Sequence, residues 1–340
     1  MNSKLLFLNP KVLSFILGSL LSLLPGMESI QLKKIDIIKP VSFTPDNFIN
    51  SSNINGYAAI TNYKNGFIAV GSDGRIDRIS LSGTVTKSEK FPDVNFNCLI
   101  SDDQMIMAAG DNGNVVIASD SGTFHKINSG TDENINSLTL FDGVVIAGTD
   151  GGEILYGDSK GFYQMIQLNL KGKIVSVSSN ASDCFGVTDD GEIIHSKDGT
   201  NWNVFDFNKV YDGFYKPCNF RKALVTEENR IAVIGTHKDG SPAVLFSSQG
   251  NVWTERSLNY TDDQGNDGYL EAAPNDIIYI DFEDQYYIAC DSGMLMILPN
   301  CTHCNTLTGI SNTNLEGISL NANTMILVGD NFFVKSFNLR

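Results

Sequence analysis

Carboxylates are abundant among the side chains of this sequence that could do chemistry. Its 340 residues include 39 Asp and Glu, and glycoside hydrolysis requires two carboxylates at a suitable separation. Asp is also favoured at tight turns, where its side chain accepts backbone hydrogen bonds. We interpret as turn residues the acids that follow apolar runs in short turns, namely Asp73, Asp111, Asp150, Asp189, Asp291 and Asp330. The sequence therefore singles out no catalytic pair.

Thiol and imidazole chemistry has little support in the sequence. Four of the six cysteines lie singly in apolar runs, where buried free thiols are common: Cys98, Cys184, Cys218 and Cys290. Cys301 and Cys304 form one C-x-x-C motif outside a βαβ context, which favours a loop disulfide or free thiols over a metal or redox site. The four histidines have no spaced partner and no G-x-S-x-G motif occurs, which argues against zinc-dependent or serine hydrolysis.

The charge of the chain argues against partners that carry many phosphates. The net charge is −15, and the 24 Lys and Arg are scattered along the chain. Such a surface has no cationic patch for a phosphate backbone and repels anionic lipids. We therefore expect no nucleic acid partner, and membrane contact only through an uncleaved N-terminal segment.

Residues 1–29 form a hydrophobic N-terminal segment. As a helix, the apolar stretch from Val12 to Leu24 would span ~20 Å, less than the ~30 Å of a bilayer core. This length is typical of the hydrophobic region of a signal peptide. The sequence around Leu24 to Met27 lacks the small residues of a cleavage site, so an uncleaved anchor or a docked hydrophobic helix is the alternative. The signal peptide predicts a secreted or cell-envelope protein.

An apolar run that ends in a small residue and a turn recurs between residues 67 and 331. The equivalent positions are Gly71, Gly110, Gly148, Val187, Gly235, Cys290 and Gly329. Their spacings are 39, 38, 39, 48, 55 and 39 residues, so the unit is near 40 residues and two units carry insertions. Each unit contains four short apolar runs separated by hairpin-type turns.

Four strands in a unit of about 40 residues are typical of a propeller blade. No amphipathic helical stretch follows residue 30, which argues against a solenoid. The sequence predicts an all-β protein whose residues 30–340 form a single seven-bladed β-propeller of four-stranded antiparallel blades. The last unit has room for three strands, so we expect the alternating stretch Ile30–Val41 to supply the fourth strand and close the ring.

A second repeated element follows the Gly turns by about nine residues. Its fullest copy comprises Ser196, Asp198, Gly199 and Trp202, and residues 247–253 form a degenerate copy with Gln249 in place of the Asp. This element resembles the Asp box, or bacterial neuraminidase repeat, of sialidase-like propellers over roughly residues 54–340. The resemblance implies a structural turn between the third and fourth strands of a blade, in which the Asp accepts backbone N–H groups and the aromatic ring packs between strands.

Sialidases of that superfamily hold a substrate carboxylate with three arginines from different blades, beside a Tyr–Glu nucleophile pair and an Asp acid/base. The arginines of this sequence are Arg75, Arg78, Arg221, Arg230, Arg256 and Arg340. Two of them share one run and one is C-terminal, and the arginine motif expected in the first blade is missing. The resemblance therefore implies the fold and not the activity.

The two insertions carry the candidate binding residues. In a four-stranded antiparallel blade, the turn between the second and third strands and the connection to the next blade emerge on one face, opposite the Asp-box turns. The insertions Asn208–Phe220 and Asn259–Pro274 lie in such connections, and long loops often carry function. Their aromatic residues are Tyr211, Phe214, Tyr215, Tyr260 and Tyr269. These rings suit sugar stacking or a protein contact, and the alternative is that they pack the loops onto the blades.

Oxygen ligands are dense in the second insertion, where Asp262, Asp263 and Asp267 surround a Gly. This arrangement suggests a calcium site but does not fit the EF-hand pattern, and a solvated acidic loop is the alternative. No other cofactor is indicated.

Three functions follow from these observations. The first is a non-catalytic interaction or glycan-binding propeller that is secreted, envelope-associated or part of a phage particle, with a glycan or protein ligand on the insertion-bearing face. The second is a glycan-active hydrolase or lyase, which paired acids in the central channel would favour. The third is a protein assembly factor, for which a flat apolar face would speak.

Overall fold

The computed structural model describes residues 55–119, 122–261, 267–299, 305–307 and 309–339. These residues belong to one compact unit. Their strands form eight antiparallel sheets, of which seven are the blades of a ring, each hydrogen-bonded in chain order, and the eighth is a two-stranded hairpin. The structure therefore confirms the predicted seven-bladed β-propeller.

The first four blades each contain four strands. Blade 1 comprises β1 (Tyr57–Tyr63), β2 (Gly66–Gly71), β3 (Arg75–Ser80) and β4 (Val85–Lys90). Blade 2 comprises β5 (Phe96–Ser101), β6 (Met105–Gly110), β7 (Val115–Ser119) and β8 (Phe124–Ile127). Blade 3 comprises β9 (Ile135–Phe141), β10 (Val144–Thr149), β11 (Glu153–Asp158) and β12 (Gly161–Gln167). Blade 4 comprises β13 (Ile174–Ser179), β14 (Cys184–Thr188), β15 (Glu192–Ser196) and β16 (Asn203–Asp206).

The remaining blades include both insertions. The one-turn helix α1 (Phe207–Val210) precedes blade 5, which comprises β17 (Cys218–Val225), β18 (Ile231–His237), β19 (Pro242–Ser247) and β20 (Thr254–Glu255). The second insertion forms a small hairpin of β21 (Asn259–Thr261) and β22 (Asp267–Tyr269). Blade 6 comprises β23 (Pro274–Ile280), β24 (Gln285–Cys290), β25 (Met294–Pro299) and β26 (Asn305–Leu307). In the described residues blade 7 comprises β27 (Leu315–Asn321), β28 (Thr324–Gly329) and β29 (Phe333–Asn338).

The hydrophobic cores lie between neighbouring blades. Second strands such as β6 are buried on both faces, because each blade packs against a neighbour on either side. Seven clusters of buried side chains each join two adjacent blades, and the cluster of Tyr57, Phe67 and Ile326 joins blade 7 to blade 1. Since each fully buried aliphatic side chain contributes about 1.5–3 kcal/mol, these cores hold the ring together.

Hydrogen bonds also join blade 7 to blade 1. Asn331 N donates to Asn55 O at 2.7 Å, and Asn321 Nδ2 donates to Lys64 O at 2.8 Å. The predicted closing strand, Ile30–Val41, and the hydrophobic segment 1–29 lie outside the described residues, so both stay predictions. In the described part of the chain, no helix is long and apolar enough to cross a bilayer.

Candidate functional site at the mouth of the central channel

The first strands of the seven blades surround a central cavity of about 690 Å³. Residues of β1, β5, β9, β13, β17, β23 and β27 all contribute to its wall. One mouth of this channel lies where the second strands end, and the two insertions connect blades at that same end. A ligand at this mouth would therefore meet the start of each first strand, the turns after the second strands and the insertions.

Each first strand carries a bulge near its start, after the first residue in six blades and after the third residue, Phe220, in blade 5. There the pairing with the second strand skips one residue. Bulges re-aim side chains and are common beside functional sites. The seven skipped residues form a ring at the mouth: Ala58, Asn97, Asn136, Val175, Arg221, Asn275 and Glu316.

In three blades the bulged residue is an Asn that acts as a latch. Asn136 Nδ2 donates to Asp150 Oδ1 at 2.8 Å and to Ile174 O, in blade 4, at 3.0 Å. Asn97 makes the same pair of bonds in blade 2, and Asn275 makes them in blade 6. The latch thus joins the turn of its own blade to the first residue of the next blade. The carboxylates of Asp111, Asp150 and Asp291 thus accept hydrogen bonds from Asn side chains. The sequence predicts only backbone partners for these turn residues.

Blades 5 and 7 replace this latch with charged residues. Arg221 stands at the bulge of blade 5 and Glu316 at the bulge of blade 7, and Arg221 Nη2 donates to Glu316 Oε2 at 2.6 Å. This ion pair joins two blades that are not neighbours, because blade 6 lies between them. Below it, Lys222 Nζ lies 3.1 Å from Asp276 Oδ1, whose Oδ2 accepts Ile318 N at 3.0 Å.

The substitution of Glu for Asn in blade 7 concentrates negative charge. Burial raises the pKa of Glu316, and Asp330 and Asp291 raise it further while Arg221 lowers it. Burial also raises the pKa of Asp330. Within the described residues, Asp330 Oδ2 is buried without a hydrogen-bond partner. The mouth therefore carries charged residues in place of the Asn at blades 5 and 7, and the change at blade 7 leaves a carboxylate oxygen unsatisfied.

The first insertion packs mainly onto blades 4 and 5. Tyr211 and Tyr215 lie against the buried ring of Phe207, and Tyr211 Oη accepts Trp253 N at 3.0 Å. Glu255 N donates to Tyr215 Oη at 3.5 Å. These two tyrosines thus fix the loop to the edge of blade 5, whereas Phe214 is 75% exposed.

In the second insertion, Tyr269 is 45% exposed at the end of β22. Tyr260 lies in β21, where its backbone pairs with Gly268. Asp267 pairs through its backbone with Thr261, while Asp262 and Asp263 lie outside the described residues, so the calcium site stays a prediction. Among the described side chains, no group of three or more His, Cys, Asp or Glu is placed to hold a metal ion.

A buried chain of Cys, His and Glu lies between the two insertions. Cys218 Sγ is 3.5 Å from His237 Nδ1, and His237 Nε2 is 2.7 Å from Glu255 Oε1. This is the order of groups in a thiol hydrolase. However, the Cys218 residue is 0% exposed, and burial raises the pKa of its thiol to about 12, so the sulfur is neither ionised nor accessible. The chain ties three strands of blade 5 together instead.

The Asp-box residues lie in the turn between β15 and β16, on the face opposite the insertions. Asp198 Oδ1 accepts Thr200 N at 2.9 Å and Asn201 N at 2.7 Å, and these bonds hold the pKa of Asp198 well below its usual range. Ser196 Oγ donates to Asp198, and Gly199 adopts a positive φ of 70° against the ring of Phe141. Trp202 is half-buried.

Trp202 fixes this turn to the neighbouring blade. Its Nε1 donates to Tyr156 Oη in blade 3 at 2.7 Å. The four residues of this turn therefore brace the scaffold on the face opposite the bulge ring.

Sequence comparisons give no family. A scan against protein-family models finds no match, and a search of curated proteins finds none either. The Asp-box likeness accordingly stays a resemblance that rests on the turn residues.

Solved structures give the fold. The chain is similar to the WD40 β-propeller domain of Doa1, with a TM-score of 0.64 and 13% identity over 84% of this chain and 93% of that chain. It is similar to YCF48 bound to D1 peptide, with a TM-score of 0.62 and 13% identity over 88% and 98%. It is also similar to the computationally designed protein Ika8, with a TM-score of 0.59 and 12% identity over 85% and 98%. Likeness at these identities extends to the propeller architecture alone.

Proposed function

We propose that this protein is a non-catalytic interaction propeller that binds a segment of a protein partner across the channel mouth. The observation that carries the proposal is the loss of the Asn latch at blades 5 and 7. Three blades carry an Asn at this position and blades 1 and 4 carry the apolar Ala58 and Val175, whereas Arg221 and Glu316 place charges there. Residues that break a local rule without a structural gain are typical of functional sites.

Two further features support a protein partner. Phe214 and Tyr269 expose aromatic rings on the insertions that border this face, and exposed aromatics are enriched at protein interfaces. One solved structure of similar fold contains a bound peptide. The hydrophobic N-terminal segment supports a secreted or envelope location.

A hydrolase would need channel carboxylates that are free to exchange protons or attack a substrate. Among the described residues, four carboxylates line the channel: Asp189, Asp276, Asp291 and Glu316. Lys222 pairs with Asp276 and Arg221 with Glu316, while Asp291 accepts Asn275 Nδ2 and Asp189 accepts Lys173 N. This pairing favours binding over catalysis as the role of the channel.

The proposal can be tested with a random twelve-residue peptide library displayed on phage and selected on the full chain. Ala58 is exposed at the mouth, so Ala58→Trp should fill the site and reduce binding of the selected peptides at least tenfold. Ala181 is exposed in the turn between β13 and β14, on the opposite face, so Ala181→Trp is the matched control and should bind as wild type. Equal binding by both variants would refute the proposal.

Glycan binding is the second candidate, because the exposed rings of Phe214 and Tyr269 could stack on sugars. A glycan panel, scored for retention and for the masses of released products, tests it. Retention that is lost in Phe214→Ala and Tyr269→Ala would favour a lectin-like face, and released fragments would contradict the non-catalytic proposal.

A further inference from the structure

The buried carboxylate of Asp330 lacks the partner that its equivalents have. Asp111, Asp150 and Asp291 each accept a hydrogen bond from the Asn at the bulge of the same blade. Asp330 is only 6% exposed, and within the described residues its Oδ2 accepts nothing. A buried polar atom without a partner is rare in native proteins and calls for an explanation.

The explanation lies in the residue that stands where the donor should be. Glu316 precedes Asp330 by the same 14 residues (330 − 316) that separate Asn97 from Asp111 and Asn136 from Asp150. An ionised Glu can only accept hydrogen bonds, so blade 7 has an acceptor where these two blades have the donor to the turn Asp. Asp291 adds a third negative charge, and both neighbours raise the pKa of Glu316.

The chain itself compensates this charge only in part. Arg221 donates to Glu316, but within the described residues no cation is paired with Asp330. The Arg221 side chain is 52% exposed while that of Glu316 is 14% exposed, so solvent on the Arg221 side weakens this ion pair. The missing group is therefore a donor with positive charge, and it can come from outside the chain.

From this geometry we infer that the partner inserts a Lys or Arg side chain into the mouth beside Glu316 and Asp330. This inference rests on the proposed function and adds the chemistry of the partner. The net charge of −15 would draw a basic segment toward the protein. The acidic turns of blades 2, 3 and 4, at Asp111, Asp150 and Asp189, lie on the same face and would attract further basic residues.

The selected phage peptides test the inference. We expect them to be rich in Lys or Arg, and a synthetic peptide in which citrulline replaces the critical Arg, or norleucine the critical Lys, should bind at least tenfold more weakly. Glu316→Gln and Asp330→Asn should each weaken the unmodified peptide by a similar factor. Asp281→Asn removes the same charge from an exposed turn on the opposite face and should leave affinity unchanged.

The outcomes separate the inference from the proposed function. Some peptides could lose affinity for Ala58→Trp and still tolerate citrulline or norleucine, or still bind Glu316→Gln and Asp330→Asn as they bind wild type. Such peptides would refute the inserted Lys or Arg side chain and leave the mouth as the binding site. Peptides that bind Ala58→Trp as tightly as wild type would refute both the inserted cation and the proposed binding site at the mouth. Affinity that falls at least tenfold between 50 and 500 mM NaCl is a further expectation, because salt screens exposed charges.

Discussion

Replacing Glu316 with Asn should stabilise the protein. The new amide would stand where Asn97, Asn136 and Asn275 stand in their blades. By analogy with them, it would donate to the carboxylate of Asp330 and to the carbonyl of Tyr57, the first residue of the next blade. The variant thus restores a latch that the repeat uses three times.

The magnitude follows from the bonds gained and lost. A hydrogen bond to a charged group contributes about 1.5–3 kcal/mol, and Asp330 Oδ2 at present has no donor in the described residues. The lost ion pair with half-exposed Arg221 contributes about 0–1 kcal/mol. The net gain should therefore be about 1–2 kcal/mol, which corresponds to a rise in Tm on the order of 2–5 °C for a chain of this size.

The gain should depend on pH in a defined direction. A carboxyl group whose pKa is higher in the folded state stabilises the fold fully below its ordinary pKa of about 4.3, and this contribution is lost as the pH rises through the raised value. The pKa of Glu316 is raised by burial and by neighbouring carboxylates. The ionised Glu316 therefore destabilises the wild-type fold at pH 7 and not at pH 4. Glu316→Asn should accordingly raise the free energy of unfolding more at pH 7 than at pH 4.

Urea denaturation of both proteins at pH 4 and pH 7 measures these free energies of unfolding. Val175→Asn in blade 4 is a useful comparison, since it introduces Asn at an equivalent bulge where no carboxylate is unsatisfied in the described residues. A Glu316→Asn variant that is destabilised by more than about 1 kcal/mol at pH 7 would mean that the Arg221 pair stabilises the mouth more than the latch does. The missing donor at Asp330 would then not be what limits the stability of the wild-type protein.

Three further predictions concern the scaffold. Asn136→Ala removes one hydrogen bond to a carboxylate and one to a carbonyl. Urea denaturation should therefore show that the free energy of unfolding falls by about 2–3 kcal/mol. A fall near zero would mean that the Asn latch does not stabilise the ring. The pKa of His237 is raised mainly by Glu255, so the stability from this pair is fully present below about pH 6.5 and is lost as the pH rises through the raised value. Urea denaturation from pH 6 to 9 should show this decline in wild type and not in His237→Gln, whereas equal profiles would contradict it. In a variant without Cys301 and Cys304, Ellman's reagent should fail to label the native protein and should label four thiols in urea. The reason is that the remaining cysteines are buried, and burial raises the pKa of each thiol. These cysteines are Cys98, Cys184, Cys218 and Cys290.

The repeat made the blades predictable from the sequence. Equivalent turns such as those after Gly71 and Gly110 end the second strands, because a blade repeats one pattern of apolar runs and turns. The Asn latch was also visible in principle, since Asn97 and Asn136 each precede a turn Asp by 14 residues. Glu316, which precedes the turn residue Asp330 by the same interval, breaks this pattern.

Contacts across the ring could not be read from the sequence. Arg221 and Glu316 are 95 residues apart and meet because the ring brings blades 5 and 7 together at one mouth. The roles of the insertion tyrosines depend on packing, which places Tyr211 and Tyr215 against blade 5 and leaves Phe214 exposed. Sequence patterns describe which residues a loop contains, but not which of them face solvent.

Photo-crosslinking from the channel mouth shows whether a bound peptide lies there. The photoreactive residue p-benzoylphenylalanine would replace Ala58 at the mouth or Ala181 on the opposite face, and each full-length variant would be irradiated with a selected peptide. We predict covalent capture from position 58 and not from position 181, with the attachment site close to a Lys or Arg of the peptide. Capture from position 181 alone, while the peptide still binds, would place the binding surface elsewhere and contradict the account.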